Sequence, residues 1–349
     1  DLSSYYPTVG RKPTVAYLWG RTVKCKSCRA TIPLLKTRWL CKKDNKRVLL
    51  KMEPSADGSG VVFGVETDVP QGGTNAAQRR EHDKRIGAGT MSRAGAACPL
   101  CPATMTQEDV RHEAMQGRLE TQMTGVVVDG GRGKEYRAAT FEDTRGQDAA
   151  AAELGAIFDR VPLGLPTEEV PKGGSRSGGG SSFTVYLYGL DRWFKLFTPR
   201  QLAALGVFIE HSRATWAEMR EAGYPESWIE ATGAYLALAV DRIADRGSSI
   251  CHWDVGYEKV ANTFSGFRLP ISWDFCEASP TGDSTGSYPG QLEWIARVIE
   301  HAMAAISSPS SPTILSQSAT NTARGGDFDA VITDPPYYDA IQYSDLMDF

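Results

Sequence analysis

Hydrophobic positions recur along this chain with two spacings: every three to four residues, as in helices, or every second residue, as in strands. The helical spacing predicts three helices. Apolar residues recur at helical spacing over residues 198–221, where Thr198 and Gln201 have the spacing of a capping box. The apolar face of this helix consists of Leu202, Leu205, Phe208 and Ile209. The same period predicts two further helices, over residues 226–246 and 291–306.

The shorter period and continuous apolar runs predict strands in the first half of the chain. Residues 31–35 and 48–52 have the composition of hairpin strands, whereas residues 70–95 are polar and glycine-rich and are predicted to form a loop. The valines of residues 126–128 lead into a glycine-rich turn, and residues 134–141 again have strand character, which favours a β-hairpin. The alternative is a cofactor-binding loop, but such a loop should open a helix behind the strand, and an isolated Gly-x-Gly is a weak signal.

The most chemically informative segment is residues 328–337, an apolar run that leads into Asp334-Pro335-Pro336-Tyr337. We predict a strand that stops at Asp334, because each proline fixes its own φ, lacks an N–H and holds the preceding residue extended. The exocyclic amino group of a nucleobase has two N–H donors, which the Asp334 carboxylate and the Pro335 carbonyl can accept. Tyr337 offers an aromatic face for a base taken out of a duplex. The segment therefore predicts a site that handles a nucleobase, and the alternative is a rigid turn with no chemistry.

Two Cys-x-x-Cys pairs are the second chemical signal. The four residues are Cys25, Cys28, Cys98 and Cys101. Four thiolates suit tetrahedral zinc with no open coordination position, so we predict a structural zinc ion in a zinc ribbon. The segment between the pairs, residues 30–97, is longer than in a compact ribbon, and the pairing therefore supports the prediction more firmly than the spacing does. Four unconnected core thiols, or replacement of one ligand by Cys41, are the alternatives.

Composition and charge limit the kinds of partner and the cellular compartment that we expect for this protein. The 349 residues have a formal net charge of -4, which argues against a uniformly basic surface for binding nucleic acid. Residues 21–51, however, contain a dense run of Lys and Arg with Asp44 as the acidic exception, which favours phosphate contacts with nucleic acid. Alternatively, these Lys and Arg side chains form a solvent-exposed face, or they offset the negative charge of the zinc-bound thiolates. With seven cysteines, no apolar run of membrane-spanning length and no signal-peptide pattern, we expect a cytoplasmic protein without membrane contact.

A longer stretch around the nucleobase motif carries a resemblance to a known family. Residues 334–337 match the catalytic motif of the amino-methyltransferases, and residues 331–339 followed by 343–346 resemble the zinc-ribbon-containing adenine-specific DNA methylases of bacteria and archaea. The resemblance extends over nearly the whole chain. It also includes residues 14–25, 197–201 and 269–275.

The resemblance implies an α/β fold, part of a Rossmann-like class I methyltransferase interrupted by a zinc-ribbon insertion and a helical insertion. It implies S-adenosylmethionine-dependent methylation of the exocyclic amine of adenine, with DNA as partner and partner proteins of a restriction or phage-defence system. The residues implied as catalytic are Asp334, Pro335, Pro336 and Tyr337, and those implied to line the same pocket are Tyr338 and Asp339. An RNA or cytosine amino-methyltransferase and a non-catalytic zinc-ribbon nucleic-acid-binding fragment remain alternatives.

The resemblance also implies a division of the chain into five parts. They are a segment continuing from an upstream methyltransferase part (1–20), the zinc-ribbon insertion (21–145), a linker region (146–182), the helical insertion (183–268) and a truncated catalytic portion (269–349). The chain starts at Asp1 and stops soon after the motif, so we expect an internal fragment whose cofactor loop lies upstream. Ser318 stands where related enzymes usually carry aspartate, which leaves the cofactor contacts of this chain open.

Overall fold

The computed structural model describes residues 2–8, 10, 12–172, 183–264, 266–306, 313–321, 329–335 and 343–349. Its strands are β1 (Thr14–Lys24), β2 (Thr31–Leu34), β3 (Trp39–Lys43), β4 (Lys46–Pro54), β5 (Val61–Glu66), β6 (Met91–Ser92), β7 (Gly95–Ala97), β8 (Thr104–Met105), β9 (Glu120–Asp129), β10 (Lys134–Arg137), β11 (Trp253–Asp254), β12 (Lys259–Val260) and β13 (Asp274–Ala278). Its α-helices are α1 (Ala76–Ile86), α2 (Gln107–Met115), α3 (Phe141–Phe158), α4 (Pro199–Glu221), α5 (Glu226–Arg246), α6 (Tyr288–Ala305) and α7 (Tyr343–Met347).

Strand β1 is the centre of a five-stranded sheet in which every pairing is antiparallel. The order is β10-β9-β1-β13, and β2 pairs with the same edge of β1 as β13 does, further along the strand. Trp19 lies opposite Phe275 of β13, and Arg21 lies opposite Leu34 of β2. All of β1 except the half-buried Lys24 is buried. One strand therefore holds the sheet together and carries the chain to Cys25.

The two faces of the central sheet are covered by different layers. Tyr17 and Trp19 pack in a hydrophobic core with residues of α3 and α4, whereas Ala16 and Leu18 pack in a second core with residues of β3 and β4. This division follows from the strand itself, because successive side chains of a strand point to opposite faces. The three-stranded sheet β3-β4-β5 thus covers one face, and the helices cover the other.

The helices of the second half confirm three of the sequence predictions. Helix α4 begins with the predicted capping box, in which the Thr198 side chain accepts from the Gln201 N–H and the Gln201 side chain accepts from the Thr198 N–H. Helix α5 packs on α4, and α6 packs on α5. Helix α6 starts three residues earlier than predicted, because the Ser287 side chain accepts the Gly290 N–H and proline follows in the first turn.

Two predictions for the first half were wrong in part. The segment predicted as a loop, residues 70–95, contains α1, whose side chains are almost all polar and so give no hydrophobic period. Strands β2 and β4 form close to the predicted positions, but β2 pairs with β1 and β4 pairs with β3 and β5. The predicted hairpin of β9 and β10 is confirmed, with the Gly130 N–H donating to the Gly133 carbonyl at 2.8 Å in its turn.

The observed class is mixed α/β with antiparallel sheets. Between its named strands, the described part of the chain contains no parallel pairing, so the parallel Rossmann-like sheet is not seen there. The predicted division into parts stays a prediction, although β1 runs without interruption across its first boundary at residues 20 and 21. None of the helices in the described ranges combines the length and the apolar character that a membrane crossing requires.

Candidate metal centre

The four cysteines of the two Cys-x-x-Cys pairs converge in space. Their sulfur atoms all lie within 4.8 Å of one another. The Cys25 and Cys101 Sγ atoms are 3.7 Å apart, as are those of Cys28 and Cys98. Tetrahedral zinc with bonds of about 2.3 Å to sulfur requires sulfur separations of roughly 3.8 Å. The predicted ligand set is therefore brought together at distances that could hold a structural zinc ion.

The first cysteine pair lies in the turn between β1 and β2. The Cys25 N–H donates to the Ala30 carbonyl at 2.8 Å, and the Arg29 N–H donates to the Cys25 carbonyl at 3.0 Å. Arg29 has a φ of 64°, the left-handed conformation that lets the chain reverse after Cys28. The turn is thus closed by backbone hydrogen bonds before any metal contributes.

The second cysteine pair lies in the turn between β7 and β8. The Cys98 N–H donates to the Ala103 carbonyl at 2.9 Å. Gly95 at the start of β7 has a φ of 128°, and a Cβ there would lie 1.9 Å from the Met105 carbonyl oxygen, so this position requires glycine. The two turns are joined directly, since the Lys26 N–H contacts the Met105 sulfur at 3.2 Å.

Helix α2 and a small hydrophobic core support the metal centre. The side chain of Thr106 and that of Asp109 form a capping box that starts α2. Asp109 also forms an ion pair with Lys26 of the first turn, at 2.7 Å. The core beneath the cysteines includes Val23, Ile32, Ala96, Met105, Val110 and Trp273. The sequence analysis missed these supporting residues, although the Thr-x-x-Asp pattern after Cys101 was a usable signal.

The thiols of the cluster differ in how readily they ionise. Burial raises the pKa of Cys98 to about 12, and the neighbouring Cys28 and Cys101 thiols add to the rise. Burial also acts to raise the pKa of Cys25, but the backbone N–H groups of Cys28 and Ser27 outweigh it, and the pKa of Cys25 falls to about 7. Four thiolates this close would repel one another, and a divalent cation offsets that repulsion.

Cys41 lies apart from the cluster, which removes it as the alternative ligand in this arrangement. It is buried on β3, and its Sγ contacts the Lys46 carbonyl oxygen at 3.3 Å.

The long spacing between the two cysteine pairs also has a structural explanation. Residues 35–94 contribute the sheet β3-β4-β5 and helix α1, so the ribbon carries an additional layer between its two turns.

The residues of the predicted nucleobase site are described in part. Asp334 and Pro335 are exposed and lie in residues 329–335, which have no regular secondary structure. The predicted strand before the motif was therefore wrong over these residues: Val331 is 77% and Ile332 is 95% exposed, so the described part of the chain does not bury this apolar run. Pro336, Tyr337, Tyr338 and Asp339 lie outside the described residues.

The basic run of residues 21–51 divides between the interior and the surface. Arg21 is buried, and its Nε donates to the Ser272 carbonyl at 2.7 Å. Arg47 is also buried and pairs with Asp83. The exposed cations of the run are Lys26, Arg29, Lys36, Lys42 and Lys51. Part of the charge that predicted phosphate contact thus stabilises the fold instead.

Comparisons with known proteins found no match: the chain matches no family model, no curated protein and no solved structure.

Proposed function

We propose that this chain is the zinc-bearing part of an S-adenosylmethionine-dependent methyltransferase that acts on the exocyclic amine of adenine in DNA. The observation that carries the proposal is the presence, in one chain, of a four-thiol cluster at zinc distances and the sequence Asp334-Pro335-Pro336-Tyr337. The resemblance to the zinc-ribbon-containing adenine-specific DNA methylases joins these two features in the same way. The proposal includes a Rossmann-like catalytic domain, to which the described strands contribute no parallel pair.

The roles of the motif residues follow from their hydrogen-bonding capacity. The Asp334 carboxylate and the Pro335 carbonyl accept the two N–H bonds of the amine, and Tyr337 stacks on the base that has left the duplex. Their placement on an exposed, irregular segment supports this role, because both acceptors are accessible to a macromolecular substrate. Tyr338 and Asp339, which lie outside the described residues, are proposed to contact the same base.

The described residues identify no S-adenosylmethionine site. The cofactor enters the proposal through the motif, and when bound it supplies the methyl group. What this chain's own residues contribute is the orientation of the amine, and positioning of this kind accounts for a large part of the rate in group-transfer enzymes.

The proposed role of zinc is structural. Four thiolates fill a tetrahedral shell and leave no position for water or substrate. The metal would hold the β1–β2 and β7–β8 turns together and thereby fix the end of the central strand.

A methyl-transfer assay on the protein expressed from its complete gene tests the proposal. Transfer of labelled methyl from S-adenosylmethionine is measured into adenine-containing duplex DNA, adenine-free duplex DNA and RNA. Asp334→Ala should lower transfer into DNA by about a hundredfold or more, because the amine loses one of its two acceptors. Asp329→Ala, which changes an exposed acid in the same segment, is the matched control and should retain activity.

The outcomes separate the alternatives. Equal activity of Asp334→Ala and the unaltered protein would refute the catalytic assignment. Transfer into adenine-free DNA would identify cytosine as the methylated base. Transfer into RNA would identify RNA as the substrate. No transfer into any substrate, together with zinc-dependent binding of DNA, would favour the second candidate, a non-catalytic nucleic-acid-binding ribbon. The exposed Lys26 and Arg29 on the first cysteine turn favour that candidate.

A further inference from the structure

Arg21 of β1 is a buried cation without a counter-charge among the described residues. It is 4% exposed, and the described part of the chain contains two other buried arginines, Arg47 and Arg200. Each of these two forms an ion pair with a carboxylate, that of Asp83 and that of Glu277. Burial lowers the pKa of Arg21 to about 10, and no acid of the described residues counteracts that effect. A buried charge without compensation destabilises a protein, so an anion at Arg21 would stabilise it.

Three hydrogen bonds occupy one part of the Arg21 guanidinium and leave the other part free. Nε donates to the Ser272 carbonyl at 2.7 Å, and Nη2 donates to the carbonyl and the hydroxyl oxygen of Ser249, both at 2.9 Å. All three acceptors are uncharged. Nη1 has no acceptor among the described residues, although it is not enclosed by the protein. Its two N–H groups are therefore available to an acceptor from outside.

Arg21 lines a cleft of about 700 Å³ between the central sheet and the helical layer. It lies two residues after Trp19, so its side chain is on the sheet face that the helices cover. Trp19 and Phe275 line the same cleft and belong to the core on that face. The remaining lining includes residues of α3 and residues 195 and 197–199 at the start of α4. The volume is in the range of small-molecule sites.

Two further donors line this cleft beside Arg21. Ser249 lies next to the helical turn Trp193–Leu196, because its N–H donates to the Leu196 carbonyl at 2.7 Å. Its hydroxyl oxygen accepts from Arg21, and its hydroxyl proton has no acceptor among the described residues. Lys195 of the same turn is exposed and donates to Asp191 and to the Gly189 carbonyl, which leaves one of its three N–H groups.

The free part of the guanidinium favours a phosphate over a carboxylate. A carboxylate pairs best with two parallel N–H bonds from the guanidinium fork, but Nε and Nη2 of Arg21 are already occupied. A phosphate monoester has three acceptor oxygens that point in different directions, so it can accept from Arg21, Ser249 and Lys195 together. The cleft is much larger than a phosphate group. Its α3 side, which includes the 75% exposed Phe141, could contact an organic substituent.

We propose that this cleft binds a small phosphate monoester, with the phosphate on Arg21 Nη1, the Ser249 hydroxyl and the Lys195 ammonium group, and with the organic substituent along α3. The bound dianion supplies the counter-charge that Arg21 lacks. The proposal is independent of the methyltransferase proposal, because it uses neither the cysteine cluster nor the motif residues.

Calorimetric titration with phenyl phosphate, inorganic phosphate and benzoate tests the proposal. Phenyl phosphate should bind at least about tenfold more tightly than benzoate, because a carboxylate has fewer acceptor oxygens and cannot use the occupied fork. It should also bind more tightly than inorganic phosphate, since the ring adds apolar contact along α3.

Two variants and a matched control locate the phosphate. Arg21→Met keeps the length of the side chain but removes its charge, and should weaken phenyl phosphate binding at least about thirtyfold. Lys195→Gln removes an exposed cation of the lining and should weaken binding about fivefold. Arg145→Gln removes one exposed positive charge from α3 outside the lining, and should leave the affinity within about twofold.

A melting curve shows whether Arg21→Met is folded. If it is not, Ser249→Ala decides in its place, because it removes one donor to the phosphate and should weaken binding about fivefold without a change of charge. An unchanged affinity in Ser249→Ala would then count against the site.

Three results would overturn the proposal. They are the absence of phenyl phosphate binding at about ten millimolar, an unchanged affinity in a folded Arg21→Met variant, and equal effects of Lys195→Gln and Arg145→Gln. Tighter binding of benzoate than of phenyl phosphate would overturn the assignment to a phosphate. Competition by a short DNA duplex that binds at least about a hundredfold more tightly than phenyl phosphate would overturn the assignment to a small ligand.

Discussion

Arg200, in the first turn of α4, and Glu277, in β13, form a bidentate ion pair in which neither side chain is exposed to solvent. The bonds measure 3.0 Å from Nη2 to Oε2 and 3.1 Å from Nε to Oε1. Trp19 and Gln147 each donate to the same carboxylate at 3.1 Å. The pair thus joins the helical layer to the central sheet through a network whose charges are compensated inside the protein.

Removal of one partner of this pair should destabilise the fold strongly. Glu277→Leu leaves the Arg200 guanidinium buried without a counter-charge, and we expect a loss of about 3–5 kcal/mol in the free energy of unfolding, measured in urea. The double variant with Arg200→Met should recover part of the loss. As a control, Glu226→Gln breaks the exposed pair with Arg220 and should cost less than about 1 kcal/mol. Similar costs for Glu277→Leu and Glu226→Gln would contradict this account.

Two glycines of α3 should respond to alanine in opposite directions. A Cβ at Gly146 would lie 2.1 Å from the Tyr5 carbonyl oxygen, a backbone atom that cannot rotate away, so Gly146→Ala should destabilise by about 1–3 kcal/mol. Gly155 is exposed and has nothing within 4 Å, so Gly155→Ala should stabilise by about 0.5–1 kcal/mol. Calorimetric melting temperatures check both signs, and a shift of both variants in the same direction would count against the close approach.

Glu258 should make stability depend on acid pH. Burial acts to raise its pKa, but the ammonium groups of Lys43 and Lys46 and the Tyr136 hydroxyl outweigh burial and lower the pKa to about 2. Because the folded value lies below the unfolded value of about 4.3, the contribution is fully present above that pH and is lost as the pH falls towards 2. Glu258→Gln should therefore cost on the order of 2–3 kcal/mol at pH 7 and little near pH 2.

Urea unfolding at several pH values from 7 to 2.5 measures the Glu258 effect. Glu53→Gln, an exposed acid on β4, is the control and should show no comparable dependence on pH. If the cost of Glu258→Gln were the same at pH 7 and pH 2.5, the ion pairs with the two lysines would not be its source.

Loss of zinc should unlink the two cysteine turns. We expect one zinc per chain by elemental analysis, and a lower melting temperature after chelation or in Cys28→Ser. Cys251→Ser is the matched control: Cys251 is buried, but its Sγ lies 3.4 Å from the Thr263 hydroxyl, where serine fits, and its variant should keep the zinc. Full zinc content in Cys28→Ser would exclude the four-thiol site.

Local chemistry explains which features the sequence could predict. The two Cys-x-x-Cys turns and the capping box at Thr198 are set by residues a few positions apart, and both were predicted correctly. Helix α1 was missed because its buried side chain is Asp83, which pairs with the buried Arg47, and Ile86 is its one large apolar residue, packed against Trp39, Leu49 and Val69. A hydrophobic pattern does not predict a helix whose buried contact with the rest of the protein is an ion pair.

Long-range pairing explains what the sequence could not predict. Strand β1 pairs with β9 and β13, which come from distant parts of the chain, and no local pattern specifies these partners. The apolar run before Asp334 had the composition of a strand, but a strand also needs a partner and a covering layer. Residues 329–335 show neither.

The central position of β1 has a consequence for synthesis of the protein. One edge of this strand is completed by β13, whose residues leave the ribosome roughly 260 positions later, which at about 5–20 residues per second takes on the order of ten to fifty seconds. Through that interval a long, apolar strand has an open edge, a state that favours pairing with other chains. Slow emergence of β13 therefore makes the nascent chain a natural client for chaperones, and premature termination before Ala278 yields products prone to aggregate.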